Sequence, residues 1–301
     1  MQSQPIAFHP PASDAAPILL PTVATLFADR AARFATLADG HSLSDWLSFL
    51  GQLSRAQQHA VAALPKLDLP PASQLEQAIA HGMPPLDPSQ RPAAWRDALR
   101  SIAGELVAEA PEGAANALAA LQAASDADLE KLASTLLSGD LDAANAAELP
   151  FVAAALQVVY TQLASQLAAP TLKKLDHTNV CPCCGSPAVS SIVRLGSEIN
   201  NLRYLHCSLC NSEWNVPRAT CTACDNDKSV ALQEVDGNPG AVRAETCDSC
   251  QSYLKIVYQE KDPHVDPVAD DLATLALDML VDEAGYQRSG PNMLLIGAYS
   301  G

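Results

Sequence analysis

Hydrophobic residues recur at helical spacing through the first half of the chain, and the spacing predicts a bundle. Val23, Leu26, Phe27, Phe34 and Leu37 fall on one face of a helix over about 22–38. Leu43, Trp46, Leu47, Leu50 and Leu53 do the same over 43–63, with Ser42 and Asp45 placed as a capping box and Pro65 just past the end. A third stripe, Trp95, Leu99, Ile102 and Leu106, predicts a helix over 91–109. A shorter helix begins at Ser125, carries Leu129, Leu132, Leu136 and Leu137, and ends at Gly139, which suits a C-terminal cap. Between the second and third helices, Leu64–Pro92 holds Pro65, Pro70, Pro71, Pro84, Pro85, Pro88 and Pro92 and predicts an irregular connection.

Leu149 to Leu172 is 24 residues without a formal charge, long enough to span a bilayer. However, Gln157, Thr161, Gln162, Ser165 and Gln166 form a polar stripe at helical spacing opposite Val152, Leu156, Val159, Leu163 and Leu167, so the segment reads as a buried helix of the bundle and no membrane insertion is expected. The first twenty residues are broken by Pro5, Pro10, Pro11 and Pro17, and the first basic residue is Arg30, which argues against a secretory signal and predicts a cytoplasmic protein. The histidines at 9, 41, 59, 81 and 177 are isolated in sequence, Trp46 and Trp95 sit on apolar stripes, and the half reads as a scaffold or binding surface without a catalytic constellation.

Composition changes at about Asp176 to Asn179. Of 53 alanines, 42 precede residue 178, whereas all nine cysteines follow it. Charge does not change there: 34 acidic against 18 basic residues give −16, divided equally between the halves, so no basic surface is available for a nucleic-acid backbone and nucleic-acid binding is not expected. With 301 residues and 48% hydrophobic content, two or more domains can bury cores.

With Cys183 set aside, the cysteines form four CxxC pairs. Adding 40 to Cys181, Cys184, Cys207 and Cys210 gives Cys221, Cys224, Cys247 and Cys250, so each repeat is C-x2-C-x22-C-x2-C. Two intervening residues let one tight turn aim two thiolates inward, and two such turns joined by a hairpin complete a tetrahedron suited to zinc or iron. Two metal ions per chain follow. Pairing within each repeat is the simplest assignment, although swapped pairings use the same residues. Disulfides fit poorly with a chain that stays in the cytoplasm, and a thioredoxin-like use of one CxxC leaves three pairs unexplained. The residue after the second cysteine of each knuckle must accept positive φ, which Gly185, Asn211 and Asp225 do readily and Gln251 least well. Cys183 reads as a bystander thiol at a knuckle tip, the alternatives being a substitute ligand or a redox-sensitive thiol, and His206 reads as a strand residue.

Downstream, the segment Asp262 to Glu283 carries Asp262, Asp266, Asp270, Asp271, Asp278, Asp282 and Glu283 against no Lys or Arg. Asp266 can cap a helix starting at Pro267. The helix is expected to pack through Leu272, Leu275, Ala276, Met279 and Leu280 and to present a solvated acidic face that could meet a partner.

The run from Arg203 to Cys224, RYLHCSLCNSEWNVPRATCTAC, resembles the central segment of the FdhE family, accessory proteins of respiratory formate dehydrogenases. Asp266 to Leu280, continued by Gly285-Tyr-Gln-Arg288, resembles the same family, and with the CxxC frame the likeness spans about 178–292. It implies an α+β architecture: an N-terminal all-α helical domain (1–177), two rubredoxin-like or zinc-ribbon-like four-cysteine metal modules (178–217 and 218–260), then a C-terminal helix and tail (261–301). It also implies metal ligation by the eight paired cysteines, with iron favoured over zinc. Cys183 departs from the usual Cys-Pro-x-Cys-Gly knuckle, and Asp225 stands where glycine is common. The function implied is that of a cytoplasmic, non-enzymatic accessory protein that binds the immature catalytic subunit of formate dehydrogenase. A rubredoxin-like electron carrier and a nucleic-acid-binding zinc ribbon are the alternatives. The acidic balance weakens the ribbon reading, and the long helical half exceeds what an electron carrier needs.

Overall fold

The computed structural model describes residues 2–5, 15–139, 146–195, 201–235 and 240–295. Two short strands, β1 (Gln2–Pro5) and β2 (Ile18–Leu19), precede seven helices: α1 (Leu26–Ala38), α2 (Ser44–Ala63), α3 (Ala72–Ala80), α4 (Ala94–Leu106), α5 (Glu112–Ala123), α6 (Asp126–Ser138) and α7 (Leu149–Ser165). Six strands follow: β3 (Ala188–Arg194), β4 (Leu202–Cys207), β5 (Glu213–Asn215), β6 (Val230–Glu234), β7 (Val242–Cys247) and β8 (Ser252–Tyr258). The chain then forms α8 (Ala269–Leu272), α9 (Leu275–Glu283) and β9 (Gln287–Arg288).

The apolar stripes form as expected except at Leu43, which lies exposed at the N-cap of α2. Phe27 and Phe34 of α1, Leu47, Leu50 and Leu53 of α2, and Trp95, Leu99 and Ile102 of α4 are buried in one core. α6 begins where Ser125 Oγ accepts from the Asp128 N–H and ends at Gly139 with φ +73°. α2 starts differently from the expected capping box. Its N-terminal residue has no side-chain cap; instead the Leu43 N–H donates to His41 Nδ1 at 3.0 Å. This leaves the proton on His41 Nε2, which donates to the Ala273 carbonyl at 3.0 Å and ties the helical half to the C-terminal segment. α3 interrupts the proline-rich connection but contains no fully buried residue, and α5 buries only Ala117, Leu118 and Leu121. α7 is buried on almost every side and forms the axis of the bundle. No described helix is long and apolar enough to cross a membrane.

The two ribbons share one sheet. All nine described strands belong to it in the order β1-β6-β7-β8-β3-β4-β5-β2, with β9 also on β8. Each ribbon is antiparallel, and the two join through a parallel pairing of β3 with β8, Ile192 opposite Val257. The N-terminal half is therefore not all-helical: β2 covers β5, with Ile18 opposite Trp214, and β1 covers β6, so the ends of the sheet are capped by strands from the start of the chain. The main core runs from the helices into the first ribbon, taking in Leu205, Leu209 and Trp214, whereas the second ribbon has smaller clusters such as Ala244, Tyr253, Leu277 and Val281.

The acidic C-terminal segment is only partly as expected: Leu272 is buried and Asp282 and Glu283 face solvent, but other positions are inverted. Asp266 does cap α8, accepting from the Val268 and Ala269 N–H groups at 2.9 and 2.7 Å. Yet Asp270, Asp271 and Asp278 are buried, while Met279 and Leu280 are exposed. The reason is distant cations. Arg33 pairs with Asp270 at 2.5 Å and Asp262 at 2.6 Å, Arg30 with Asp266 at 3.1 Å, and the fully buried Lys255 lies between Asp271 and Asp278, which also meet Arg288. A carboxylate is tolerated in the interior when its charge and lone pairs are matched there. Gly290 completes the closure: a Cβ at this position would lie 1.9 Å from the Ala188 carbonyl oxygen, so only glycine lets the tail pass this close to β3.

Candidate metal centres

The structure brings the paired cysteines together within each repeat. Cys181, Cys184, Cys207 and Cys210 form one cluster and Cys221, Cys224, Cys247 and Cys250 the other, with the ligand atoms of each cluster within 4.8 Å of one another. In the first, Cys181 Sγ is 3.5 Å from Cys210 Sγ and Cys184 Sγ 3.4 Å from Cys207 Sγ; in the second, the corresponding distances are both 3.7 Å. A disulfide requires about 2.05 Å. A tetrahedron with metal–sulfur bonds of about 2.3 Å has edges of about 3.8 Å. The sulfurs are thus spaced to surround one ion rather than to bond each other.

Local backbone geometry supplies this spacing. The residue after each second cysteine takes positive φ: Gly185 +77°, Asn211 +57°, Asp225 +59° and Gln251 +54°. Gln251 therefore makes the fourth knuckle despite being the least expected residue there; its Nε2 donates to the Asp248 carbonyl at 2.8 Å. Backbone N–H groups point at sulfur, from Cys183 to Cys181, from Leu209 and Cys210 to Cys207, and from Ala223 to Cys221, at 3.3–3.4 Å. These donors favour thiolate, whereas burial holds the Cys181 and Cys207 thiols above the ordinary thiol range and pushes Cys221 up to about 12. Burial acts in the same direction on Cys250, but the Ser252 hydroxyl, 2.9 Å away, and the neighbouring sulfurs bring it down to about 7. A cation at the centre would offset the desolvation, so the donor set fits a thiophilic metal whose binding releases protons.

The clusters differ in surroundings. All four cysteines of the first are buried; in the second, Cys224 and Cys250 are exposed. The helical half covers the first cluster. The Leu86 N–H donates to the Cys183 carbonyl at 2.9 Å, Gln157 Nε2 donates to the Ser208 carbonyl at 2.8 Å, and Asn211 Nδ2 donates to Thr161 Oγ1 at 2.8 Å. The polar stripe of α7 is thus shared: Gln157 and Thr161 dock the second knuckle, whereas Gln162 and Gln166 hold the proline-rich connection at Pro65 and Leu67. Cys183 is wholly buried beneath the proline-rich connection.

A charged layer unannounced by the sequence surrounds the first cluster. His206, placed in β4 as expected, is 3.0 Å from Glu213 and 3.1 Å from Asn211 Oδ1, which also accepts from Arg30. Burial raises the Glu213 carboxyl, but His206 and Arg194 outweigh it and bring it to about 2. Nearer the second ribbon, Arg203 and Glu245 form a buried pair at 2.6 Å. Sequence spacing carried no sign of these pairs because their partners lie on different strands and helices. Of the isolated histidines, His41 is positional, His59 meets Glu105 at the surface at 3.0 Å, and His9 lies outside the described residues.

Comparison with known proteins agrees with this architecture. Family models for FdhE match along the chain: the N-terminal model over residues 15–177, the central domain over 180–218 and the C-terminal domain over 219–295. A protein FdhE homolog from Edwardsiella ictaluri is 44% identical over 284 residues, covering 93% of this chain and 91% of that one. Another from Serratia proteamaculans is 41% identical over 282 residues, with the same coverage of each chain. The crystal structure of the FdhE protein from Pseudomonas aeruginosa superposes with a TM-score of 0.84 at 38% identity, covering 92% of this chain and 98% of that one.

Proposed function

Because the chain belongs to the FdhE family, we propose that it is a non-catalytic accessory protein that binds the immature catalytic subunit of a respiratory formate dehydrogenase in the cytoplasm and supports its maturation. The observation that carries this reading is the pair of four-cysteine clusters set in one sheet against a large helical bundle. Such an arrangement uses its cysteines to organise a surface. Cys181, Cys184, Cys207 and Cys210 would hold one ion and Cys221, Cys224, Cys247 and Cys250 a second, iron in preference to zinc by family resemblance. A bound ion of either kind links the knuckles, and iron adds one-electron chemistry.

The chain's own residues prepare that surface. Gln157 and Thr161 seat the first ribbon on α7, and the Lys255–Asp271–Asp278–Arg288 cluster fixes the C-terminal segment across β8. Affinity for a protein partner would come chiefly from buried apolar contact, with the formal charge of −16 setting the encounter. Co-purification with the catalytic subunit tests the reading. Wild-type protein should retain the subunit and oxidise no formate alone, and the Cys221→Ser/Cys224→Ser variant should bind it more weakly. Wild-type protein that captures no such subunit but binds nucleic acid at physiological salt contradicts the proposal.

Electron transfer is the second reading, favoured specifically by the exposure of Cys224 and Cys250. Reversible bleaching of a thiolate-to-iron absorption by a one-electron reductant, with transfer to a redox partner, would support it.

A further inference from the structure

The two repeats are copies offset by 40 residues, so each contact at one knuckle can be compared with its counterpart. In the first repeat the Ser208 carbonyl is reached by Gln157 Nε2 from α7. Its counterpart, the Asp248 carbonyl, is reached by Gln251 Nε2 from the same knuckle. Asn211, the counterpart of Gln251, instead turns its amide to Thr161 of α7. One knuckle carbonyl is therefore bound by a docked helix, whereas its counterpart is bound from its own knuckle; further bonds to that knuckle come from its rim, the Tyr286 hydroxyl to Asp248 Oδ1 and the Gln287 N–H to the Gln251 carbonyl.

The remaining counterparts follow the same division. Cys183, Leu209 and Asn211 are buried against the rest of the molecule, and their equivalents Ala223, Ser249 and Gln251 are exposed. Cys184 and Cys210 are buried, while Cys224 and Cys250 are exposed. Gly185 packs beneath the proline-rich connection, with Pro84 Cγ 3.3 Å from where its Cβ would lie; its equivalent Asp225 faces solvent. Self-completion by Gln251 satisfies the knuckle carbonyl without a partner, so the exposed geometry can persist in water.

We propose that the clusters are unequal by construction: the first retains its ion as a staple between the bundle and the sheet, and the second exchanges a soft metal ion, zinc or iron(II), with small ligands arriving through Cys224 and Cys250. This rests on the reading that both clusters hold metal. In exchange, the incoming ligand takes the ion and the released thiolates take protons from water, with no change of oxidation state. Release from the first cluster requires α7 and the proline-rich connection to lift away; release from the second requires no tertiary opening.

The test uses the full chain loaded with two equivalents of zinc and mixed with excess 4-(2-pyridylazo)resorcinol. One equivalent should leave in a fast phase and the other at least about tenfold more slowly, because local opening precedes it. Iodoacetamide added during the fast phase should modify Cys224 and Cys250 before any cysteine of the first cluster, as mapped by mass spectrometry. Gln157→Leu should accelerate the slow phase alone. Release of both equivalents in one phase, or modification beginning at the first cluster, overturns the inequality while leaving metal binding intact; a chain that takes up no zinc or iron overturns both.

Discussion

Replacing Gln157 with leucine tests the joint between bundle and ribbon with little change in side-chain volume. Gln157 is 1% exposed and makes two bonds that leucine cannot replace: Nε2 donates to the Ser208 carbonyl at 2.8 Å, and Oε1 accepts from Gln57 Nε2 at 3.0 Å. Ser208 is 2% exposed, so water does not readily reach its carbonyl, and leaving that acceptor unpaired costs about 1–3 kcal/mol. Gln57 keeps its bond to the Ala154 carbonyl, so its loss is nearer the net value of one neutral hydrogen bond, about 0.5–1.5 kcal/mol. The combined destabilisation is about 1.5–4.5 kcal/mol. Urea unfolding followed by far-UV circular dichroism, with the metal content of both proteins matched, measures it. A cost below about 0.5 kcal/mol, in the range of surface substitutions, would refute the assignment of Gln157 as the joint.

Lys255→Met removes the cation between Asp271 and Asp278 and should destabilise the protein by about 3–5 kcal/mol in the same assay, since buried carboxylates lose their compensation; a change under about 1 kcal/mol counts against this role. Gly290→Ala must open a 1.9 Å contact with the Ala188 carbonyl, so it should cost at least about 2 kcal/mol and make the C-terminal segment more susceptible to limited proteolysis, whereas unchanged stability would mean that the tail does not pass against β3. Glu213 has a folded-state value of about 2 against an ordinary 4.5, so its stabilising contribution is present above pH 4.5 and is lost as pH falls toward 2. The stability difference between wild type and Glu213→Gln should therefore shrink by roughly 3 kcal/mol over that interval; a difference that stays constant contradicts the depressed value.

The features legible in the sequence were those whose physics is local. A CxxC turn aims two sulfurs by itself, so the repeat predicted both clusters, and strong apolar stripes predicted α1, α2, α4, α6 and α7. Gln251 was the least expected knuckle residue because side-chain size suggested the wrong preference; its amide instead closes the turn on Asp248. α3 and α5 left weak signals because proline flanks one and alanine dominates the other, with few large residues to mark a buried face. The two-residue β2 is too short to show alternation. The acidic C-terminal segment misled because charge along one segment says nothing of cations elsewhere: Arg33 lies 237 residues before Asp270, so only the fold brings them into contact.

A metal count joined to X-ray absorption spectroscopy on full-length protein purified without oxygen shows directly whether both cysteine clusters hold an ion. Two ions per chain are expected, each bound by four sulfurs at about 2.3 Å, with Cys183→Ala retaining both and Cys221→Ser/Cys224→Ser retaining one. One ion per wild-type chain, nitrogen or oxygen in place of the paired sulfurs, or four native disulfides would contradict this expectation.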